Sequence, residues 1–124
     1  VENNYRVCIY ETEPESDVKA VAESMAQYSQ NRGMSSSDVI FGCGGDGTVS
    51  AVASGILYSG LSLAVVPQGT ANAFCSALEL PTELDDILDA VLLGKKTIID
   101  AAECNGIPFV LLSGIGIEAK MVEL

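Results

Sequence analysis

Histidine and tryptophan are absent from this chain of 124 residues, and only six residues are lysine or arginine. A chain with no histidine and no Cys-x-x-Cys pair is a poor candidate for a zinc site. Seventeen acidic residues give a net charge of −11, which argues against nucleic-acid binding and against docking on anionic lipid through this domain alone. Apolar runs stay well short of the roughly 20 residues that a transmembrane helix needs, so we expect no membrane span.

Cysteine is scarce and dispersed along the chain. Cys8, Cys43, Cys75 and Cys104 lie about 30 residues apart, mostly in apolar stretches. This usage is typical of buried thiols in a reduced, cytoplasmic protein. With 48% hydrophobic residues, residues 1–124 suffice for one domain with a core of its own.

The densest glycine segment spans residues 42–48, with the sequence GCGGDGT, and follows the apolar run 39–41. Apolar residues at helical spacing come next, namely Val49, Val52, Ala53, Ile56 and Leu57. A strand, a glycine turn and a helix in this order predict a phosphate site, because glycines let a ligand approach the backbone and the first helical amides lack partners. The alternative is a tight turn that binds nothing. The spacing matches neither G-x-G-x-x-G nor a Walker A loop.

A second turn of the same kind spans residues 67–74, with the sequence PQGTANAF, and follows the buried-type strand 63–66. Two strand–glycine–helix units in tandem would place both turns at the carboxyl ends of parallel strands, where open α/β sheets bind ligands. Thr70 and Asn72 are candidates for ligand contact, because polar loop residues commonly carry function.

Three more strands are predicted outside these two units. They cover residues 6–10, 97–99 and 109–112, and the last two flank an Asn105-Gly106 turn that suits a hairpin. Strands that alternate with helices predict an α/β fold with a mostly parallel sheet, covered by helices on both faces.

Helix boundaries can also be predicted from the pattern. A capping box over residues 12–15 predicts one helix start, with Thr12 as the cap, and Thr82 predicts another. Gly33 and Gly94 predict the corresponding helix ends. The second of these helices is predicted to turn five apolar residues inward, namely Leu84, Ile87, Leu88, Val91 and Leu92.

The GGDGT and PxGTxN segments, followed by residues 100–119 with Asn105-Gly106 and the run GIGIEA at 114–119, resemble the catalytic domain of diacylglycerol kinases. Sphingosine kinases and bacterial lipid kinases are relatives within that group. The resemblance implies a three-layer, Rossmann-like domain of the NAD kinase and diacylglycerol kinase type. It also implies transfer of the ATP γ-phosphoryl group to a lipid hydroxyl with Mg²⁺.

The resemblance implies a nucleotide site on the two glycine turns. Its predicted residues are Thr12, Gly44, Gly45, Asp46, Gly47, Thr48, Ser50, Gly69, Thr70 and Asn72. Asp46 is the catalytic candidate and could order Mg²⁺ through water, or it could only cap the helix that follows. The hydroxyls of Thr12, Thr48 and Ser50 could likewise contact nucleotide or only begin a helix. With so few cations in the chain, backbone amides and a metal are expected to hold the phosphates.

Four positions depart from the family pattern. Ser50-Ala51 stands where diacylglycerol kinases have Asn-Glu, Ala73 replaces an Asp, and Glu118 replaces another Asp. These changes leave open a weakened kinase, or a nucleotide-binding module without catalysis. A kinase for NAD or a sugar phosphate shares GGDGT, but the second loop and residues 100–119 argue against it.

Full-length relatives have an Asn-Pro-x-x-Gly segment before the first strand and a β-rich second domain after residue 124. That second domain carries the general base and most Mg²⁺ ligands. The resemblance therefore implies a truncated nucleotide-binding domain, inactive by itself, whose partners are ATP, a lipid substrate and the missing domain. The full-length parent would be cytoplasmic or peripheral at a membrane, and a homodimer is left open.

Overall fold

The computed structural model describes residues 5–110. Its elements in chain order are α1 (Val18–Asn31), β1 (Val39–Gly44), α2 (Asp46–Ile56), β2 (Ser62–Pro67), α3 (Ala73–Ala77), α4 (Leu84–Leu92), β3 (Ala102–Cys104) and β4 (Ile107–Phe109). β1 and β2 run parallel, and β3 and β4 form an antiparallel hairpin. The predicted α/β class is confirmed, while the three-layer arrangement stays a prediction. The predicted run 114–119 and Glu118 lie outside the described residues.

The parallel pair has the shape that its sequence predicts. β1 and β2 pair in register from Val39 opposite Ser62 to Gly44 opposite Pro67. Both strands therefore end at the same edge of the sheet, and each leads into one of the two predicted glycine turns. Parallel strands need a crossover connection, which here is α2.

A first core cluster joins α1 to α2. Its buried residues are Ala22, Ala26, Val52 and Ile56. The α1 residues are small, and on α2 Gly55 faces them without a side chain. A Cβ atom at Gly55 would lie 2.5 Å from the carbonyl oxygen of Lys19 and 2.7 Å from the Cβ of Ala22. The two helices are therefore in backbone contact at this glycine.

A second core cluster fixes α3 against the sheet and the start of α2. It contains Val49, Val65, Phe74 and Cys75, all buried. Phe74 and Cys75 are thus the inward residues of α3, whereas Ala77 and Leu78 are exposed. Burial of α3 at this position brings the second glycine turn next to the first.

The start of α1 differs from the prediction. Residues 13–16 form a turn, in which the Ser16 hydroxyl accepts from the Glu13 amide at 2.8 Å, and the helix begins only at Val18. The N-cap is Asp17, whose carboxylate accepts from the Ala20 amide at 3.0 Å. The predicted capping box at Thr12 is wrong because this turn separates Thr12 from the helix.

The start and the inward face of α4 also differ from the prediction. The N-cap is Glu83 without a side-chain hydrogen bond, so the cap predicted at Thr82 is wrong. Ile87 is the buried residue of this helix, whereas Leu84 and Leu92 are each 55% exposed. Only part of the predicted apolar face of α4 therefore packs against other described residues.

Two of the predicted strands do not form. Residues 6–10 and 97–99 have no regular structure, and Ile9 and Ile98 are 90% and 98% exposed. An apolar run becomes a strand only where a neighbouring strand completes its hydrogen bonds. Within residues 5–110 the parallel sheet consists of β1 and β2 alone, so neither run has a partner there.

The turns predicted at glycine residues form at the predicted positions. Gly33 and Gly94 follow their helices with φ of +76° and +65°, as the predicted helix ends require. Asn105 and Gly106 have φ of +52° and +79° and join β3 to β4, which confirms the predicted turn. The strands that it joins are residues 102–104 and 107–109 instead of the predicted 97–99 and 109–112. Residues 111–112 lie outside the described residues.

The cysteines are less buried than predicted. Cys8 and Cys43 are exposed, Cys104 is half-buried and only Cys75 is buried. Cys8 lies in the unpaired segment 6–10, and that is why its apolar surroundings do not cover it. Between residues 5 and 110 no helix combines the length and the apolar character needed to cross a membrane.

Replacing Asp17 with alanine should lower the free energy of unfolding by about 1 kcal/mol, the usual cost of losing a capping side chain. Thr12→Ala is the matched control and should change it by less than about 0.5 kcal/mol, as for an exposed side chain with no special contact. Urea unfolding of both variants measures the difference. If Thr12→Ala were the more destabilising of the two, the observed start of α1 would be wrong.

Candidate functional site

The two glycine turns meet at the carboxyl ends of β1 and β2. The Gln68 amide donates to the Gly44 carbonyl at 2.9 Å. A Cβ atom at Gly69 would lie 2.5 Å from the Cα of Gly45, and one at Gly45 would lie 3.2 Å from the Cα of Gly69. Neither glycine has positive φ. Both are therefore needed for the close approach of the two backbones.

The first turn of α2 leaves several amides without acceptors. Its N-cap is Gly45, which has no side chain to cap with, and the first helical bond runs from the Val49 amide to the Gly45 carbonyl at 3.0 Å. Within residues 5–110 the amides of Asp46, Gly47 and Thr48 have no hydrogen-bond acceptor. Free amides and the positive end of the helix dipole favour an anion at this position.

Gly47 keeps this position open. It is exposed, and a Cβ atom added to it would meet no neighbouring atom of residues 5–110 within 4 Å. A ligand can therefore approach the backbone of the first turn from solvent. Thr48, by contrast, packs back against the strand end, where a Cβ atom at Gly44 would lie 2.8 Å from its side chain.

The Asp46 carboxylate links the two turns. Its Oδ2 accepts from the Ala73 amide at 2.9 Å and its Oδ1 accepts from the Phe74 amide at 3.1 Å. It caps α3 in this way and makes no capping bond to its own helix, so the cap predicted for α2 is wrong. Each carboxylate oxygen retains a lone pair.

Asn72 closes the second turn on itself. It adopts a left-handed conformation with φ of +49° and ψ of +45°. Its Oδ1 accepts from the Gly69 amide at 2.9 Å, and its Nδ2 donates to the Gly69 carbonyl at 3.0 Å. The amide that follows Asn72 is the first of the two that reach Asp46. Asn72 therefore holds the beginning of the second turn, and Asp46 holds the two residues that follow Asn72.

The remaining predicted site residues fall into two groups. Ser50 is half-buried in the first turns of α2, and Thr70 is exposed on the second glycine turn. Thr12 is exposed in the irregular segment before α1, and in the described chain it makes no hydrogen bond to either turn. The structure therefore assembles Gly44–Thr48, Ser50 and Gly69–Asn72 in one region, and it does not join Thr12 to them.

A cavity of about 250 Å³ opens beside the start of α2. Its lining residues are Asp46, Gly47, Val49, Ser50, Phe74, Phe109 and Val110. The hairpin reaches this region because Ser54 donates to the Pro108 carbonyl at 3.5 Å. Phe109 and Val110 were not predicted as site residues, since nothing in a hairpin pattern tells which helix the hairpin will contact.

Charge at the site is set by Asp46. Burial raises the pKa of the Cys75 thiol, and the negative charge of Asp46 raises that pKa further. This thiol, on the inward side of α3, is therefore held in its neutral form. Among residues 5–110 no group of three or more His, Cys, Asp or Glu side chains is arranged to hold a metal ion.

Comparisons with known proteins agree with the resemblance in the sequence. The family model for the diacylglycerol kinase catalytic domain matches residues 1–104. An uncharacterised protein of Synechocystis is 39% identical over 105 residues, which are 85% of this chain and 24% of that protein.

Two further relatives are named for an enzymatic activity. Diacylglycerol kinases of Staphylococcus saprophyticus and Staphylococcus aureus are each 33% identical over 114 residues, which are 90% of this chain and 35% and 34% of those enzymes. The chain therefore spans about a third or less of the length of these relatives. No solved structure matches it significantly.

Proposed function

The chain belongs to the diacylglycerol kinase catalytic-domain family, and from this premise we propose that it is the nucleotide-binding part of a lipid kinase. In this proposal ATP binds at the two glycine turns, and its γ-phosphoryl group passes to a lipid hydroxyl. The complete domain would have the three-layer, Rossmann-like arrangement. Support for that arrangement comes from the parallel pair with α2 as its crossover.

One observation carries the proposal. Three amides in the first turn of α2 have no acceptor in the described chain, and they lie beside an exposed glycine with open space around it. Phosphate oxygens would satisfy these amides, and the helix dipole would add to the attraction. A tight turn that only reversed the chain would not need this opening.

Backbone donors suit phosphoryl transfer in an acidic chain. Such transfer depends mainly on placing the phosphoryl group in line with the acceptor and on stabilising the charge on its oxygens. The amides of Gly47 and Thr48 would hold the phosphates, and the Gly45–Gly69 contact would keep the donors fixed before ligand arrives. Fixed donors need no reorganisation during the reaction, which is the source of their catalytic value.

Mg²⁺ does not fit the described residues by themselves. Asp46 is the only carboxylate on the two glycine turns, and each of its oxygens already accepts an amide hydrogen bond. Residues 5–110 contain no cluster of metal ligands. A Mg²⁺ ion normally needs several oxygen ligands from protein, phosphate and water. We therefore assign no step of the reaction to a metal held by these residues.

A nucleotide-binding module without catalysis is the second candidate. The observation that favours it is Ala51, which stands where diacylglycerol kinases carry Glu. Ala73 replaces an Asp of that family, but sphingosine-kinase-like members also have alanine there. The amide of Ala73 bonds to Asp46, so this position supports the turn rather than supplying a carboxylate. Kinase assays with a lipid acceptor, on the protein at its natural length, separate the two candidates, since only the first transfers phosphate to a lipid.

Titration of the chain with ATP tests the proposed binding site. We expect amide shifts in residues 44–48 and 69–72 and a dissociation constant of about 100 µM or weaker, which corresponds to about −5.5 kcal/mol. The affinity should be low because the chain has few cations to hold the phosphates. Two-dimensional NMR of labelled protein measures both quantities.

Adenosine is the matched control for this titration, because it lacks phosphates. It should leave the amides of Gly47 and Thr48 unshifted. Shifts confined to residues outside the two turns would show that nucleotide binds elsewhere, and the proposed site would then be wrong.

A further inference from the structure

The second glycine turn is held by hydrogen bonds that the proposed chemistry does not use. Both polar atoms of the Asn72 side chain bond to Gly69, at 2.9 and 3.0 Å. The two amides that follow, of Ala73 and Phe74, bond to the Asp46 carboxylate. Asn72 therefore stabilises the second turn internally, and the next two residues bind it to Asp46 in the first turn.

The backbone at Asn72 explains why an asparagine suits this position. A left-handed conformation is unfavourable for most residues, and asparagine is among the few that adopt it readily. Its short amide can also bond to nearby backbone groups, which stabilises such turns. Reversal of the chain at Asn72 directs the next two amides toward Asp46.

We propose that Asn72 is a positioning residue of the nucleotide site. Its ring of hydrogen bonds with Gly69 fixes the turn, the turn presents the Ala73 and Phe74 amides to Asp46, and Asp46 begins the helix whose free amides face the ligand. Gly69 at the same time rests against Gly45. Asn72 thus acts on the phosphate-binding amides through the second turn, without contacting nucleotide. The role in nucleotide binding rests on the proposed function, but the hydrogen-bond linkage does not.

Asn72→Gly tests this role with little backbone strain, since glycine adopts the left-handed conformation freely. Asn105→Gly is the matched control, because Asn105 has φ of +52° in the hairpin turn. Both changes remove an asparagine side chain from a left-handed residue and loosen the unfolded chain equally. Asn72→Asp is the conservative variant, which keeps an acceptor for the Gly69 amide and loses the donor.

We expect Asn72→Gly to speed hydrogen exchange at the Ala73 and Phe74 amides about tenfold, a factor that corresponds to one hydrogen bond of ordinary net strength. The dissociation constant for ATP should rise about fivefold or more at a temperature well below Tm. Asn72→Asp should fall between wild type and Asn72→Gly in both measurements, and Asn105→Gly should match wild type. A purely structural role would lower Tm without changing affinity in the folded protein.

Unchanged exchange at Ala73 and Phe74 in Asn72→Gly would overturn the linkage. Faster exchange with unchanged ATP affinity would overturn the positioning role. If wild-type protein binds no ATP, the proposed function fails, and with it the positioning role; the exchange measurement then still decides whether Asn72 holds the turn against Asp46.

Discussion

Gly55→Ala is expected to destabilise the protein by about 2 kcal/mol, although alanine is the better helix former by about 1 kcal/mol. The added Cβ would lie 2.5 Å from the Lys19 carbonyl oxygen and 2.7 Å from the Ala22 Cβ. The first of these is backbone, so no side-chain rotation can relieve the overlap. α1 and α2 would have to separate, and the cluster around Ala22, which is 1% exposed, would lose its packing.

Gly47→Ala in the same helix is the matched control. Its Cβ would meet no neighbouring atom of the described residues within 4 Å, so the change should leave stability unaltered or raise it slightly. Urea denaturation followed by circular dichroism gives both values. Equal stabilities for the two alanine variants would mean that α1 and α2 are not in backbone contact at Gly55.

The glycine turns and their flanking elements could be predicted because their signals are local. Residues 39–57 contain a short apolar run, a glycine cluster and a helical apolar pattern, and β1 and α2 follow that order. The turn at Asn105-Gly106 was equally predictable, since two residues with positive φ define it, but the strands that it joins were not. In these segments the necessary information lies within about ten residues of the chain.

Strand pairing could not be predicted from the same kind of signal. Residues 6–10 and 97–99 have the apolar, β-branched composition of strands, yet they have no regular structure within the described chain. Composition reports the tendency of one segment, whereas a strand also needs a neighbour in register. Whether a neighbouring strand is available depends on the rest of the fold, and the sequence of the segment itself gives no signal of it.

The start of α1 was predicted wrongly because two nearby residues could serve as its N-cap. Thr12 and Asp17 lie five residues apart, and both are acceptable N-cap residues. The choice of Asp17 depends on the turn between Glu13 and Ser16. The residues of that turn give a weaker sequence signal than the capping-box pattern at Thr12, and that pattern therefore predicts the wrong cap.

The roles of Asp46 and Asn72 depended on contacts that the sequence does not display. The cap predicted for α2 at Asp46 is wrong, because its carboxylate accepts from amides 27 and 28 residues further on. Its predicted role in ordering Mg²⁺ stays a prediction. Asn72 was predicted to contact ligand, because polar residues beside a loop glycine commonly do. Its pairing with Gly69 could have been suspected from the tendency of asparagine to bond its own turn, whereas the link onward to Asp46 could not.

Gly47→Val should raise the dissociation constant for ATP at least tenfold, from about 100 µM to about 1 mM or weaker, a loss of about 1.4 kcal/mol or more. Gly47 is exposed in the first turn of α2, between two residues whose amides have no acceptor in the described chain. The isopropyl group would occupy the space through which phosphate approaches these amides. Because the added Cβ meets no neighbouring atom within 4 Å in the part of the chain that the structure describes, Tm should change by less than about 2 °C, as expected for a surface substitution.

Gly45→Val would be a poorer test of the same site. A Cβ atom at Gly45 would lie 3.2 Å from the Gly69 Cα, so a bulky residue there would push the two turns apart and affect both folding and binding. Gly47→Val separates the two effects, because it blocks the ligand and leaves the Gly45–Gly69 contact in place. Gly47→Ala should weaken binding less than valine, in proportion to the volume added. If Gly47→Val bound ATP as tightly as wild type does, the free amides of α2 would not be the phosphate site, and the nucleotide would have to be sought at another part of the chain.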